Sequence, residues 1–230
     1  MQFFKDFLGL FYPNLCINCT RNLLKNETIV CTFCNNDLPL IQINNIRENQ
    51  ISEVFYGKIP IHSAVGLLYF RKGNSTQKLI HKLKYENRQD IGSFLGNWFG
   101  RELYENTQFS SVDHIIPVPL HKKRLKKRGY NQLTTFGTAL SYQLKTSYTP
   151  NILIKTVTNK TQTLKNRFDR FDTADPKFKL TDYEYLENKH VLLIDDIITT
   201  GATIELCCIE LLKVKNIKIS IATIAFTERT

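Results

Sequence analysis

Apolar and polar positions along this chain follow two rhythms. The continuous apolar run Val191 to Ile194 has the composition of a strand buried on both faces, and Val112 to Val118 and Ile217 to Ala225, largely apolar with polar residues between, read as further strands. Ile61 to Phe70 alternates well enough for a further strand, and Ile152 to Thr156 reads as another. Between these runs apolar residues recur at helical spacing. Leu79, Ile80 and Leu83 share one face of Ser75 to Tyr85; Phe94 to Tyr104 and Gln132 to Leu144 repeat the pattern, as do Ile204, Leu206, Cys207, Leu211 and Leu212. This alternation predicts an α/β fold, a mostly parallel sheet flanked by helices, from about Gly57 onward. The charged stretch Asp172 to Asn188 fits neither rhythm. The opening segment, Met1 to Pro13, is aromatic and periodic, but Lys5 and Asp6 interrupt it and no small-residue cleavage site follows. It reads as an amphipathic helix packed on the body, not a signal peptide.

The chemistry concentrates where one strand ends. Val191 to Ile194 runs into Asp195 and Asp196, and then into Thr199, Thr200, Gly201, Ala202 and Thr203 before a helical pattern. The carboxyl end of such a strand faces the crevice in which open α/β sheets bind ligands. Amides at the following helix start, helped by its dipole, suit an anion such as phosphate. Two carboxylates beside that cradle would repel a bare phosphate, so they need ribose hydroxyls or a divalent cation to hold. The alternative reading is a buried strand followed by a polar turn with a threonine cap.

Length and composition limit the field. At 230 residues, 42% hydrophobic and 23% charged, the chain suits one ordinary soluble domain with a small appendage. It contains no apolar run near the roughly 18 residues of a membrane span, and a cytoplasmic address is expected. Cys16-Ile-Asn-Cys19, eleven residues, then Cys31-Thr-Phe-Cys34 is a pair of C-x2-C knuckles. Four soft ligands at that spacing predict a closed, structural zinc site, supplying folding energy that a segment this short cannot draw from a core. A disulfide pair or an iron-sulfur site are the competing uses. Cys207 and Cys208 fall inside the predicted helix after the phosphate loop and read as inert core residues. Asn35 to Lys58 is polar, with Pro39 and Gly57, and marks a boundary between residues 1–56, the zinc module, and residues 57–230, the main domain.

Charge adds a second anion-facing candidate. Val112 to His121 is a strand stopped by Pro117 and Pro119, and Lys122 to Arg128 then places six cations within seven residues. A charge run is often only a solvated face. Its place directly after a strand end points instead to an anion, either a pyrophosphate or a nucleic-acid backbone. The net charge of +10, from 31 Lys and Arg against 21 Asp and Glu, fits both.

The acid-pair segment resembles the phosphoribosyl pyrophosphate (PRPP) loop of type I phosphoribosyltransferases. The order of zinc knuckles, Lys84-Tyr85, Pro117-Val-Pro-Leu-His121, Arg128-Gly-Tyr-Asn-Gln132, a loose match at Thr161 to Arg167, and Asp195 to Thr203 narrows the likeness to the ComF (late competence) family, over nearly the whole chain. The resemblance implies a type I phosphoribosyltransferase-like domain with an N-terminal zinc finger, and a link to single-stranded DNA, and with it to other competence proteins, during natural transformation. It assigns Asp195 and Asp196 to the ribose hydroxyls and Thr199, Thr200, Gly201, Ala202 and Thr203 to the 5'-phosphate. Val118, Pro119, Leu120 and His121 take the place of the pyrophosphate loop, with Lys84, Arg124 and Arg128 as nearby cations. Thr161, Gln162, Thr163 and Arg167 match a mobile loop that closes over the site. The chain departs from the pattern where Glu86-Asn87 replace the glycine usual after Lys-Tyr, and at Arg170, where asparagine is common.

If the site is active, displacement at C1' of PRPP passes through an oxocarbenium-like state as pyrophosphate departs. Mg2+, Arg128 and basic neighbours would stabilise the leaving group while the acid pair holds the sugar. Residue 2 is glutamine, so the N-terminal cysteine needed to release ammonia from glutamine is missing. His114 and His121 are candidate acids or bases. Two classes of function follow: a phosphoribosyltransferase, or a non-catalytic nucleic-acid-binding protein that keeps the fold as a scaffold.

Overall fold

The computed structural model describes residues 13–42, 45–156 and 178–228. Seven strands and seven α-helices are named here in chain order. Helices α1 (Thr32–Asn36) and α2 (Gln50–Glu53) precede β1 (Ser63–Tyr69), followed by α3 (Ser75–Tyr85) and α4 (Asp90–Tyr104). Then come β2 (His114–Pro117), α5 (Lys122–Arg128), α6 (Leu133–Leu144), β3 (Ser147–Tyr148), β4 (Leu153–Lys155), β5 (Phe178–Leu180), β6 (His190–Ile198), α7 (Ala202–Leu211) and β7 (Lys218–Phe226).

Five strands form one sheet in the order β1-β7-β6-β2-β3, and every pairing in it is parallel. The expected architecture is therefore present, with all the carboxyl ends on one edge. Val191, Leu192, Leu193 and Ile194 are buried on both faces, as the continuous apolar run requires. Helix α3 occupies the predicted Ser75–Tyr85, started by Asn74, whose side chain accepts a bond from the Gln77 amide at 3.0 Å. Helices α4 and α6 cover one face and cross closely at Gly96, where a Cβ would lie 2.5 Å from the Phe136 carbonyl oxygen. Only glycine permits that approach.

One expectation needs correction, and two segments gain structure that the pattern did not specify. Leu153–Lys155 is a strand but not part of the parallel sheet; it pairs antiparallel with β5, and Ser147–Tyr148 takes the sheet edge instead. Three apolar residues followed by Lys155 and Thr156 mark a short strand but carry no information about its partner. The basic run Lys122–Arg128 is a helix, closed by Gly129 at φ +78. The polar stretch after Asn35 is not a loose connection. Its Ile41 amide bonds the Leu67 carbonyl at 2.9 Å, the Asn49 side chain reaches the Ala64 carbonyl at 2.9 Å, and Ile46, Ile51, Val54 and Phe55 are buried. Apolar residues spaced among asparagines supply this packing. Gly57, where the boundary is expected, turns at φ +70 just after α2. Residues 1–12, including most of the predicted opening helix, lie outside the described residues.

Candidate functional site

Strand β6 does not stop before the acids. Its register against β7 continues through Asp195↔Thr223 to Ile198↔Phe226, so both aspartates are strand residues and project to opposite faces. Asp196, only 6% exposed, is held on one oxygen by Lys84 Nζ at 2.6 Å, while Gln132 Nε2 donates to the other. Asp195 is half-buried, and its Oδ1 accepts the Asp196 amide at 2.8 Å. Burial, together with the neighbouring Asp196 charge, pushes the Asp195 carboxyl well above the usual carboxylate range; the positive charges of Lys84 and Lys155 only partly offset this. A carboxylate kept short of partners at a strand end is a common property of functional sites.

On the Asp195 face, residues 197–204 enclose a small depression of about 40 Å³. Thr199, Thr200, Ala202 and Thr203 are exposed there, and Gly201 is buried at φ +77 ahead of helix α7. A Cβ on Gly201 would meet Val54 Cγ1 at 2.6 Å and Phe55 Cε1 at 2.9 Å. The turn that aims the α7 amides outward is thus buttressed by the two residues that follow α2.

On the Asp196 face, Lys84, Tyr85, Asn87, Arg124, Lys127, Arg128 and Tyr130 line an open cavity of about 410 Å³. Four of these side chains are cations. Arg128 lies over the Tyr85 ring, 5.0 Å from its centroid, and donates from Nη1 to Gln132 Oε1 at 2.6 Å. Tyr130 anchors this wall by donating its hydroxyl to the Leu83 carbonyl. Concentrated positive charge against a tyrosine-lined wall can take a polyanion such as a pyrophosphate.

The three cations named from the sequence, Lys84, Arg124 and Arg128, therefore converge, and Lys127 joins them. Val118 is buried and bonds the Ile194 carbonyl through its amide at 2.9 Å, while Pro119 and Leu120 lead out of the sheet. His121 caps α5, its Nδ1 accepting the Lys123 amide at 3.1 Å. His114 belongs to the other edge of the sheet, beside Thr149 and Tyr185, and takes no part in the site. Thr161, Gln162, Thr163 and Arg167 fall outside the described residues. Gln132 was not among the predicted site residues, although it closes the Arg128-Gly-Tyr-Asn-Gln132 motif; its position at 3% exposure between two charged groups emerges only from the fold.

Remote from this site, the thiols of Cys16, Cys19, Cys31 and Cys34 lie within 4.8 Å of one another. A tetrahedron of thiolates about Zn2+ needs sulfur separations of about 3.8 Å, and Cys19 Sγ to Cys31 Sγ is 3.6 Å. Burial pushes the Cys16 thiol up, but amides of Cys19, Cys31 and Asn18 outweigh it, leaving the thiol at about 6. The set fits a zinc module. Cys207 and Cys208 are fully buried, and burial drives both thiols upward, Cys208 to about 12, as inert core residues require.

Known proteins place this geometry in a class. Residues 130–229, which hold Gln132, the acid pair and the hydroxyl-rich turn after it, match the phosphoribosyl transferase domain family. The chain thus has a phosphoribosyltransferase-like α/β fold, with a four-cysteine cluster near its N-terminal end. Over 129 residues it is 30% identical to the DNA utilization protein YhgH of Escherichia coli O157:H7, covering 55% of this chain and 56% of that protein. Competence protein F of Haemophilus influenzae is 31% identical over 133 residues (55% and 57% covered), and competence protein ComFC of Bacillus subtilis 31% over 96 residues (39% and 34%). The resemblance to the ComF family is borne out, and the chain spans about half the length of the first two of these relatives.

Proposed function

We propose that this protein binds PRPP with Mg2+ across the carboxyl ends of β2 and β6, in the service of single-stranded DNA handling. The observation that carries the reading is the cavity of Lys84, Arg124, Lys127 and Arg128, joined through Lys84 to Asp196, with the α7 amide turn on the far side of the acid pair. Asp195 and Asp196 hold the ribose hydroxyls. Thr199 to Thr203 take the 5'-phosphate, and Lys84, Arg124 and Arg128, with the Val118 to His121 turn beside them, take the pyrophosphate. Thr161, Gln162, Thr163 and Arg167, which the family resemblance assigns to a mobile loop, lie outside the described residues.

In a transfer reaction the bond from C1' to pyrophosphate breaks, and the acceptor's lone pair forms the new bond on the opposite face of the sugar. The cations of the cavity stabilise the charge gathering on the departing oxygens, and the acid pair keeps the ring in line. Mg2+ bound with PRPP would supply further neutralisation of the pyrophosphate. Zn2+ in the four-cysteine cluster is structural.

A second reading rests on α5. Lys123, Arg124, Lys126 and Lys127 are exposed along this short helix, a face suited to a phosphate backbone. The relatives' names, DNA utilization and competence, fit a cytoplasmic nucleic-acid-binding protein that uses the fold as scaffold. Calorimetry separates the two. Wild type should release heat with PRPP and Mg2+, and the Asp195→Asn/Asp196→Asn variant should not; a silent wild type, or an equally binding variant, removes the PRPP site. Metal analysis should return about one Zn2+ per chain.

A further inference from the structure

One buried side chain joins the two compartments of the site. Gln132 Oε1 accepts from Arg128 Nη1 at 2.6 Å, and Gln132 Nε2 donates to Asp196 Oδ2. Its amide orientation is forced, because a guanidinium can only donate and a carboxylate only accept. A side-chain carboxamide offers an acceptor oxygen and a donor nitrogen on separate atoms of one uncharged group. Glutamine alone has the reach, as judged from the side chain already present. A glutamate would put a second negative charge against Asp196. With Lys84 on Oδ1 and Gln132 on Oδ2, both oxygens of Asp196 are tethered, so the carboxylate has one orientation. Arg128, the other end of the link, lines the basic cavity and continues the exposed cationic face of α5.

We propose that Gln132 is a positioning residue that makes anion capture by the basic helix and sugar binding at Asp196 antagonistic. The inference rests on the proposed pentose-phosphate site. Arg128 lines the cavity with donors to spare beyond the Nη1 that meets Gln132, so a pyrophosphate bound there leaves that bond in place; when Arg128 instead swings out to a phosphate on the α5 face, the Gln132 carbonyl loses its donor and the amide is free to rotate. Asp196 then keeps Lys84 alone and loses the orientation that meets a ribose hydroxyl. A single strand bound along α5 therefore weakens the pentose-phosphate site, and by linkage the sugar ligand weakens strand binding by the same factor. The protein would release one ligand as it takes the other.

Ribose 5-phosphate is the suitable probe, because it lacks the pyrophosphate that would compete directly for Arg128. Its affinity is measured by calorimetry on the full chain, with and without saturating oligothymidylate. Wild type should lose affinity roughly 5-fold or more when the oligonucleotide is present. Gln132→Met keeps the volume and removes both bonds; it should bind ribose 5-phosphate several-fold more weakly than wild type and show no further change with oligonucleotide. Arg128→Lys, at a less buried position, keeps the charge but lacks the guanidinium reach, and should behave alike if Gln132→Met fails to fold. A wild-type affinity indifferent to oligonucleotide overturns the coupling. So does a shift that persists in both variants, which long-range repulsion between two anions would produce. Absence of ribose 5-phosphate binding in wild type would instead remove the pentose-phosphate reading beneath it.

Discussion

The two ends of the central sheet are built from the same strands and end up with opposite characters. At the amino end of β6, His190 is 4% exposed, and both of its ring nitrogens and its amide are paired within the fold. Its Nδ1 meets Ser111 Oγ at 2.8 Å, its Nε2 meets Ser220 Oγ at 2.8 Å, and Ser63 donates to Ser220 at 2.8 Å. The backbone amide of His190 bonds Asp113 at 2.8 Å. At the carboxyl end, five residues further on, two adjacent acids share Lys84, Gln132 and an amide, and open onto a basic cavity and an amide turn. A closed polar network stabilises; an open one binds. Polar residues at a strand end thus do not by themselves mark a site. What distinguishes them is whether their partners are supplied by the fold or left to a ligand.

Several changes should break this contrast or sharpen it. The largest effect is expected from Asp195→Asn, which should cost about 10- to 100-fold in pentose-phosphate affinity while raising the thermal midpoint at pH above the usual carboxylate range, since the cost of keeping an ionisable group beside the Asp196 charge is removed. A midpoint that falls, with affinity unchanged, would place Asp195 among the structural residues. His190→Leu should do the reverse, losing about 2 kcal/mol of stability as Ser111 and Ser220 lose their partner, with ligand affinity intact in the same titration.

A smaller pair of effects appears as pH dependence. Burial, with the charges of Lys218 and His62, lowers His190 from 6.5 to about 4, against a weaker opposing pull from Asp113. The unfolded chain then takes up a proton near 6.5 that the folded chain refuses, so stability is lost as pH falls from 6.5 toward 4. Asp195, raised in the fold, keeps a proton that the unfolded chain releases near 3.8, so its contribution is lost as pH rises above that value. Chemical denaturation across pH should show the acid-side loss shrink in His190→Leu, with His62 and His114 supplying part of what remains, and the rise-side loss shrink in Asp195→Asn; curves that superimpose on wild type would separate both groups from the linkage. The smallest effect belongs to Lys123→Ala/Lys126→Ala/Lys127→Ala, exposed changes expected to move stability by less than about 0.5 kcal/mol. Their consequence should appear in strand binding, as a flatter dependence on salt with the slope reduced by roughly two; an unchanged slope would make the helix a bystander.

Much of this was legible in the chain itself. The paired C-x2-C spacing is a local signal, and the four thiols do converge. Helix Ser75–Tyr85 carries its cap and its apolar stripe within a dozen residues, and it forms where the pattern puts it. The apolar run before Asp195 marks a doubly buried strand because nothing polar interrupts it. Less legible was where that strand ends: its partner β7 extends pairing through the acids, and partners are non-local. For the same reason Ile152 to Thr156 gave a strand but not its sheet, and Lys122 to Arg128 gave a charge but not a helix.

The sequence by itself determined the strand-helix alternation, the metal-binding spacing and the acid pair followed by its small hydroxyl-rich turn, because each depends on contacts or periodicities within a few residues. Only the tertiary structure decided that Lys84, 112 residues from Asp196, is its counter-ion and that Gln132, 64 residues away, ties it to the basic helix. Periodicity fixes which face a residue occupies within its own element. Which charge meets it there depends on how separate elements close over a common core, and no local pattern encodes that.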